Sequence, residues 1–249
     1  MMHLEEKENI EISYWRDSPT ESPEKFTKGN LMNKMQECRQ FDYKLRKFRS
    51  LIKGRAHILE LGAGQGWASC FMKKFYRPSA HFTVTDISPF AIESLPNWEK
   101  IFDVKMTNAL ACKSYDVPLR DASFDMIFCY AAAHHFIKIK ETLEECKRLL
   151  KEDGIVLFLY EPTASSLFYP LHYKYVNTAP HVTPEDVLVP GKIQKIANEI
   201  GLEYVNHFDP HQEINRSLFT MLYFKVLKVM PFLQRLLPSS SDLVFKPTV

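Results

Sequence analysis

The chain has 249 residues, a length that suits one large domain or two small ones. Its 45% hydrophobic and 25% charged residues are ordinary for a globular protein, and a formal net charge of +2 excludes the broadly basic surface of a general nucleic-acid binder. The five cysteines never form a CxxC pair, so we expect reduced thiols and no metal centre. The acidic start MMHLEEKENI and the short apolar runs predict a cytoplasmic protein without a secretory signal or a membrane-spanning segment.

The first half of the chain alternates helical and strand-like patterns. Apolar residues three or four apart predict a helix over 29–50, which we expect to cap the core as part of an N-terminal segment, 1–50. Short apolar runs follow, separated by helical patterns, and they predict strands over 57–61, 81–85, 104–107, 124–130 and 155–160. Near-continuous apolar strands that alternate with helices indicate an α/β fold, with a doubly wound, mostly parallel sheet covered on both faces.

After the fifth strand, the regular alternation of helices and strands ends. Residues 162–190 hold five prolines and several aromatic side chains, which predicts an irregular lid over a substrate-binding site. His172 and His181 are side chains of this lid that could approach a bound substrate. A helix over 192–200 and a strand over 202–208 come next, and 242–246 is the candidate last strand.

The apolar residues of 218–237 keep helical spacing and leave several interpretations open. The segment could be a core helix, a homodimer contact or a helix on a membrane surface, and its first ten residues also fit a strand. We expect a single domain over 1–249, with 55–161 as the cofactor-binding core and 191–249 as the C-terminal part of the sheet and helix.

Glycine is concentrated at one place in the sequence. Gly62, Gly64 and Gly66 are three of only eight glycines, and they lie between a predicted strand and a predicted helix. Glycine allows a tight turn and a close approach of a ligand to the backbone, and amide groups at a helix start suit an anion. Asp86 ends the second predicted strand, where a carboxylate can accept both hydroxyls of a ribose. The pattern predicts a nucleoside-containing cofactor.

An ordered series of segments resembles the class I S-adenosylmethionine-dependent methyltransferases. The series consists of ELGAGQG (60–66), Asp86, VPLRDASFDMIFCYAAAHHF (117–136) and ECKRLLKEDGIVLFLYEP (145–162). The resemblance covers roughly residues 55–210 and implies a seven-stranded Rossmann-like fold, an N-terminal helical extension, a lid after strand five and S-adenosyl-L-methionine as cofactor. It also implies the cofactor-binding residues Glu60, Gly62, Ala63, Gly64, Gly66, Asp86, Ile87, Asn108, Ala109 and Tyr130. Asn108 is taken to lie after strand three, where family members often carry an aspartate that binds adenine.

Three side chains are candidates for the chemistry itself. Methyl transfer needs its two partners held in line with water excluded, and a hydroxyl acceptor also benefits from a general base. His134 and His135 follow strand four, and Glu161 follows strand five. His135 is the preferred base, although one of the two histidines could instead pack against the next helix. Glu161 could polarise the acceptor or hold the lid.

The N-terminal aromatic residues could cover the cofactor. Tyr14, Trp15 and Arg16 would form a flap, with Arg16 near the cofactor carboxylate, but Trp15 could equally be a surface anchor.

These observations favour a methyltransferase that acts on a hydroxyl oxygen of a small molecule. The acceptor could be a sugar, a lipid, a quinone or a secondary metabolite, and no nucleic-acid partner is expected. Two other functions stay open, a nicotinamide-dependent oxidoreductase and a catalytically silent cofactor-binding protein of the same fold. Trp67 argues against the first, because dinucleotide-binding loops usually have glycine there.

Overall fold

A seven-stranded sheet forms the centre of the protein. The computed structural model describes residues 4–23, 25–178, 185–212 and 217–248. The strand order is β3-β2-β1-β4-β5-β7-β6, with neighbours among β1 to β5 parallel and β7 antiparallel to both β5 and β6. The strands are β1 (His57–Leu61), β2 (His81–Asp86), β3 (Asn108–Ala111), β4 (Phe124–Tyr130), β5 (Leu150–Thr163), β6 (Leu202–Phe208) and β7 (Ser239–Pro247). The predicted doubly wound, mostly parallel sheet is confirmed.

Helices cover this sheet and extend from it at both ends of the chain. They are α1 (Leu4–Asp17), α2 (Lys28–Lys47), α3 (Arg49–Ile52), α4 (Trp67–Phe75), α5 (Pro89–Glu93), α6 (Leu95–Phe102), α7 (Ile139–Leu149), α8 (Tyr169–Val176), α9 (Pro190–Glu199) and α10 (Leu218–Val229). Short 3₁₀ helices lie at Ala133–His135 and Pro231–Arg235. Two apolar clusters, one on each face of the sheet, form the core.

The predicted position of the third strand is wrong. The strand runs over Asn108–Ala111 instead of 104–107, and it pairs only with β2, at the edge of the sheet. An edge strand of this kind has little buried surface, so it needs no apolar run, and the side chains of β3 are largely exposed. The apolar Met106 belongs to the preceding loop, where it is buried in the core.

The C-terminal segment is helical, and the alternative strand over 218–227 is wrong. Among the residues of α10 only Leu227 is buried, so the helix is not a core helix either. The last strand is longer than predicted, because β7 covers Ser239–Pro247 and is inserted between β5 and β6.

A buried network of charges attaches α2 to this part of the sheet. Lys44 is fully buried, and its Nζ lies 3.0 Å from carboxylate oxygens of both Asp209 and Asp242. Lys47 bridges the same two aspartates at 2.8 Å. Two cations against two anions leave the network neutral, as burial requires.

The segment after strand five is only partly described. β5 continues to Thr163, α8 follows, and Thr163 forms a bridge with Leu188. Residues 179–184, with the candidate His181, lie outside the described residues. In the described parts of the chain, no helix has both the length and the apolar character that crossing a membrane requires.

Candidate functional site

A cavity of about 340 Å³ opens at the carboxyl edge of the parallel strands. This is the edge at which open α/β sheets bind ligands. Its floor includes Gly62 after β1, Asp86 at the end of β2, Ile87 after it, and Ala131 and Ala132 after β4. Helix α1 provides the opposite wall through Glu8, Glu11, Tyr14 and Trp15.

The glycine loop turns in a conformation that other residues rarely adopt. Gly64 and Gly66 have φ angles of +52° and +79°. A Cβ atom on Gly66 would lie 2.5 Å from the Leu95 side chain, and one on Gly64 would lie 2.9 Å from the indole of Trp15. Gly66 therefore allows close packing of the loop against α6, and Gly64 allows close approach from the cavity side.

Asp86 lies in the floor of the cavity, as expected for the residue that would bind a ribose. Its Oδ2 accepts the Gly64 N–H at 2.8 Å, and its Oδ1 accepts the Ser88 N–H at 2.9 Å. Burial raises the pKa of Asp86 to about 6, although these two hydrogen bonds oppose the shift. The carboxylate thus connects the glycine loop to the end of β2 and lies where hydroxyl donors of a ligand can reach it.

Several residues expected to bind the cofactor lie behind the cavity wall. Glu60 is buried, accepts the Ser69 N–H at 3.1 Å and holds the start of α4, and burial raises its pKa to about 8. Tyr130 packs on Tyr160, and its hydroxyl donates to Glu37 at 2.8 Å. The described residues that line the cavity do not include Glu60, Ala63, Gly64, Gly66 or Tyr130.

The expected adenine-binding position is wrong. Asn108 and Ala109 begin β3, so they lie at the opposite end of the strand from the cavity and are not among its described lining residues. The residues that do follow β3 include Cys112 and Ser114, and both line the cavity. The error comes directly from the misplaced third strand.

Glu161 is a positioning residue and not a group that lines the cavity. It is fully buried, and its Oε1 accepts the N–H groups of Ala132 and Ala133 at 3.0 Å each. Its Oε2 accepts the His134 N–H at 3.2 Å and lies 2.8 Å from His134 Nδ1. Burial raises the pKa of Glu161, but the contacts with His134 and the backbone amides outweigh it and hold the pKa below its usual value. Glu161 therefore fixes the 3₁₀ turn that carries both histidines.

The two histidines consequently differ in what they can reach. His134 is held by Glu161 and is not among the described residues that line the cavity, whereas His135 is. His135 Nδ1 lies 2.9 Å from Glu11 Oε1 in a charge contact that is not an aligned hydrogen bond. Burial alone would lower the pKa of His135, but Glu11, with smaller contributions from Glu185 and Glu161, raises it. Of the three expected catalytic residues, His135 alone meets the requirement of facing the cavity.

Helix α1 is attached over the cavity by polar contacts on one face. Glu8 forms an ion pair with Lys113 at 2.8 Å and accepts a short hydrogen bond from Tyr115. The hydroxyl of Tyr14 donates to Glu21 at 2.6 Å. The indole of Trp15 packs directly on Gly64, and the exposed Arg16 pairs with Asp17, so the flap over the cofactor stays a prediction.

Glu8 and Glu11 are site residues that the sequence analysis missed. Their spacing with Tyr14 and Trp15, at positions 8, 11, 14 and 15, places them on one face of a helix, and that periodicity was the available signal. The residues are polar, however, and periodicity of polar residues usually marks an exposed face.

The balance of charge in the cavity is negative. Among the described lining residues, the carboxylates are Glu8, Glu11, Glu21, Asp86 and Glu185. Glu21 pairs with Lys34 at 2.7 Å and Glu8 pairs with Lys113 at 2.8 Å, so Glu11, Asp86 and Glu185 carry the excess negative charge. An acidic cavity favours a cationic ligand, and a sulfonium is a cation. The residues present thus fit a cofactor that combines a ribose with a sulfonium centre.

One cluster could also hold a metal ion, although the sequence analysis expected none. One ligand atom from each of His134, His135 and Glu185 lies within 4.8 Å of the others. Each histidine Nδ1 faces a carboxylate, Glu161 or Glu11, and such carboxylates commonly orient metal-binding imidazoles. The same geometry also suits a general base.

Residues 59–158 match a family of methyltransferase domains. Over 147 residues the chain is 30% identical to the hybrid PKS-NRPS synthetase gkaA of Penicillium citrinum, an alignment that covers 55% of this chain and 4% of that protein. It is 28% identical over 102 residues to the uncharacterized methyltransferase YcgJ of Bacillus subtilis, covering 41% of this chain and 39% of that protein. The chain spans well under half the length of both curated relatives.

Solved structures share the fold at low identity. The YcgJ protein superposes with a TM-score of 0.61 at 18% identity, covering 84% of this chain and 100% of that one. The geranyl diphosphate C-methyltransferase from Streptomyces coelicolor, solved with Mg²⁺, geranyl diphosphate and S-adenosyl-L-homocysteine, has a TM-score of 0.66 at 9% identity, covering 85% and 79%. The family match places a methyltransferase domain at residues 59–158, and the strand order and these solved structures show that the chain has the fold of class I methyltransferases.

Proposed function

We propose that this chain transfers a methyl group to a hydroxyl oxygen of a small molecule, with His135 as the general base. The observation that carries the proposal is that His135 lines the same cavity as Asp86 while its Nδ1 lies 2.9 Å from Glu11. A carboxylate on one imidazole nitrogen orients the ring and stabilises its protonated form, which leaves the other nitrogen to accept a proton.

The residues of the chain divide the work between binding and proton transfer. When bound, the cofactor supplies an electrophilic methyl group on a positively charged sulfur. Asp86 would accept the ribose hydroxyls, and Glu11 and Glu185 would give the cavity the negative charge that a sulfonium favours. His135 Nε2 would take the proton of the acceptor hydroxyl as the oxygen bonds to the methyl carbon and the bond from that carbon to sulfur breaks, its electron pair staying on the sulfur, which leaves as a neutral thioether. Glu11 would stabilise the resulting imidazolium.

The surroundings of His135 support a small acceptor. Glu185 lines the cavity, and the next residue, Asp186, accepts a hydrogen bond from the Tyr169 hydroxyl at 2.9 Å, which attaches α8 beside the histidine turn. The Asp186 N–H donates to the His134 carbonyl at 2.9 Å. Geranyl diphosphate in the S. coelicolor enzyme and the polyketide–peptide synthetase among the relatives also favour a small-molecule acceptor over a macromolecule.

Cofactor binding is the first test. Calorimetry should detect S-adenosylmethionine and S-adenosylhomocysteine, and Asp86→Ala should weaken their binding by about tenfold or more because ribose hydroxyls lose their acceptor. Asp103→Ala, which changes a highly exposed aspartate, is the matched control and should bind as the wild type does. Thermal stabilisation by NAD and not by the sulfonium cofactor would instead favour an oxidoreductase.

Transfer is the second test. Labelled cofactor and a panel of hydroxylated sugars, lipids, quinones and polyketides should give a labelled product, and His135→Gln should reduce kcat by about a hundredfold or more without a comparable change in cofactor affinity. A metal at His134, His135 and Glu185 would occupy the nitrogen that the base uses. Loss of activity in EDTA with recovery on adding a divalent cation would therefore contradict the general-base role.

A further inference from the structure

The C-terminal helix and the 3₁₀ turn after it expose an unusual amount of apolar surface. Within 218–236, nine large apolar side chains are at least 40% exposed, and Leu218 and Phe219 reach 84% and 80%. Soluble monomers rarely expose contiguous apolar patches larger than a few hundred square ångströms. We call the exposed surface formed by residues 217–238 the apolar face.

The apolar face is an ordered part of the fold. Ser217 caps α10 by accepting the Thr220 N–H at 3.2 Å. Gln234 donates to the Leu227 carbonyl at 2.7 Å and the Tyr223 hydroxyl donates to the Pro238 carbonyl at 2.6 Å, so the 3₁₀ turn folds back against the helix. The exposed side chains are thus presented from a fixed scaffold.

A second apolar helix lies next to it. The Ser165 hydroxyl donates to the Leu236 carbonyl at 2.6 Å, which joins the start of the α8 segment to the end of the apolar face. Leu167, Leu171 and Tyr175 in or next to α8 are each at least 66% exposed. The exposed surface therefore extends over two helices.

The charges on the apolar face are all of one sign. Residues 217–238 contain Lys225, Lys228 and Arg235, each exposed, and no aspartate or glutamate. Apolar and aromatic side chains bordered by basic ones are the pattern of helices that lie in the interface of an anionic bilayer. A second copy docking on the same face by two-fold symmetry would bring these like charges together.

We propose that the apolar face docks this protein on the surface of an anionic membrane, with α10 lying in the interfacial plane. The Leu, Phe and Met side chains enter the boundary between headgroups and acyl chains, and the three basic side chains pair with lipid phosphates. Since α10 has 12 residues, it lies on the bilayer and does not cross it. Docking is a property of this surface and does not depend on the reaction at the cavity.

Vesicle flotation tests the proposal with the full chain. We expect binding to vesicles of one-third phosphatidylglycerol and two-thirds phosphatidylcholine, and weaker binding to pure phosphatidylcholine or in high salt. Phe219→Glu should reduce binding by about tenfold or more, because it removes a large apolar group and adds a charge of the wrong sign. Phe75→Glu is the matched control, since Phe75 is 62% exposed on α4, and it should bind as the wild type does. Lys225→Glu should weaken binding to the anionic vesicles more than Lys53→Glu.

Three results would overturn membrane docking. They are failure of the wild type to float with anionic vesicles, equal binding by Phe219→Glu and the wild type, and a wild-type dimer in light scattering that Phe219→Glu converts to monomer. The last would assign the apolar face to a second copy. Because flotation needs neither cofactor nor acceptor, none of these results bears on the proposed methyl transfer.

Discussion

Replacing Glu161 by glutamine should destabilise the protein through the turn that carries His135. The carboxylate has contacts at 2.8–3.2 Å with the N–H groups of Ala132, Ala133 and His134 and with His134 Nδ1, and it accepts a hydrogen bond from the Cys129 thiol at 3.6 Å. A glutamine keeps one acceptor oxygen, so its amide nitrogen faces the donors that the other oxygen served.

The structure allows the size of the effect to be estimated. Glu161 is fully buried, and the substitution replaces two hydrogen bonds to a charged acceptor, each worth about 1.5–3 kcal/mol, by contacts in which an amide N–H faces the former donors. We therefore expect a loss of about 3–5 kcal/mol in the free energy of unfolding, comparable with breaking a buried ion pair. For a urea m-value of about 1–3 kcal/mol/M, this lowers the midpoint by about 1 M or more.

The pH dependence of stability provides an independent measurement. Because the pKa of Glu161 is lowered in the folded protein, its contribution is complete above the pKa of an unfolded glutamate, about 4.3, and is lost as the pH falls through the lower folded value. Glu161→Gln should therefore weaken the acid-side decline in stability.

The matched control is Glu144→Gln on the exposed side of α7, which should change stability by no more than about 0.5 kcal/mol. If Glu161→Gln and Glu144→Gln unfold at the same urea concentration, the carboxylate does not hold the turn and the reasoning is refuted.

Three further changes test other parts of the structure. Gly64→Ala should weaken cofactor affinity at least about tenfold, because at a left-handed φ its Cβ would lie 2.9 Å from Trp15 and would displace this cavity-lining side chain. Gly191→Ala, with open space around it, should not change the affinity, and equal affinities of the two variants would contradict this role of Gly64. Glu11→Gln should lower the pKa of His135, so that the rise of kcat with pH begins at a lower pH and its plateau falls; an unchanged profile would remove Glu11 from the site. Lys44→Met leaves two buried aspartates with only one cation, and it should cost about 3–5 kcal/mol in urea unfolding; a neutral effect would show that the network is not needed for stability.

The sequence by itself was sufficient for the sheet and its ligand-binding edge. Strands such as HILEL and FDMIFCY are buried on both faces, so their apolar runs are local signals that need no knowledge of neighbours. Asp86 could be placed for the same reason, because it directly ends a buried strand. Where this signal was weak, as in the edge strand Asn108–Ala111, the prediction failed, and the adenine position failed with it.

The roles of the polar residues were decided by tertiary structure. Glu60, Glu161 and His135 are all ionisable residues near strand ends, yet only His135 lines the cavity. The difference depends on which polar groups surround each side chain, and some of these groups come from distant segments such as α1, which supplies the Glu11 carboxylate beside His135.

The apolar residues of 218–237 likewise separate what the sequence predicts from what the tertiary structure decides. Its periodicity predicts a helix, but periodicity measures which side chains share a face and not what covers that face. Only the folded chain shows that most large side chains of this face stay exposed among the described residues, next to the exposed Lys225, Lys228 and Arg235. Thus local patterning determined the buried strands of the sheet and their carboxyl edge, because burial on both faces requires a continuous apolar run in the sequence, whereas the class of cofactor was implied by the family resemblance. Burial of a carboxylate or exposure of a helix depends on residues far away in the chain, so only the tertiary structure decided which of the candidate side chains line the cavity and which helix face is exposed.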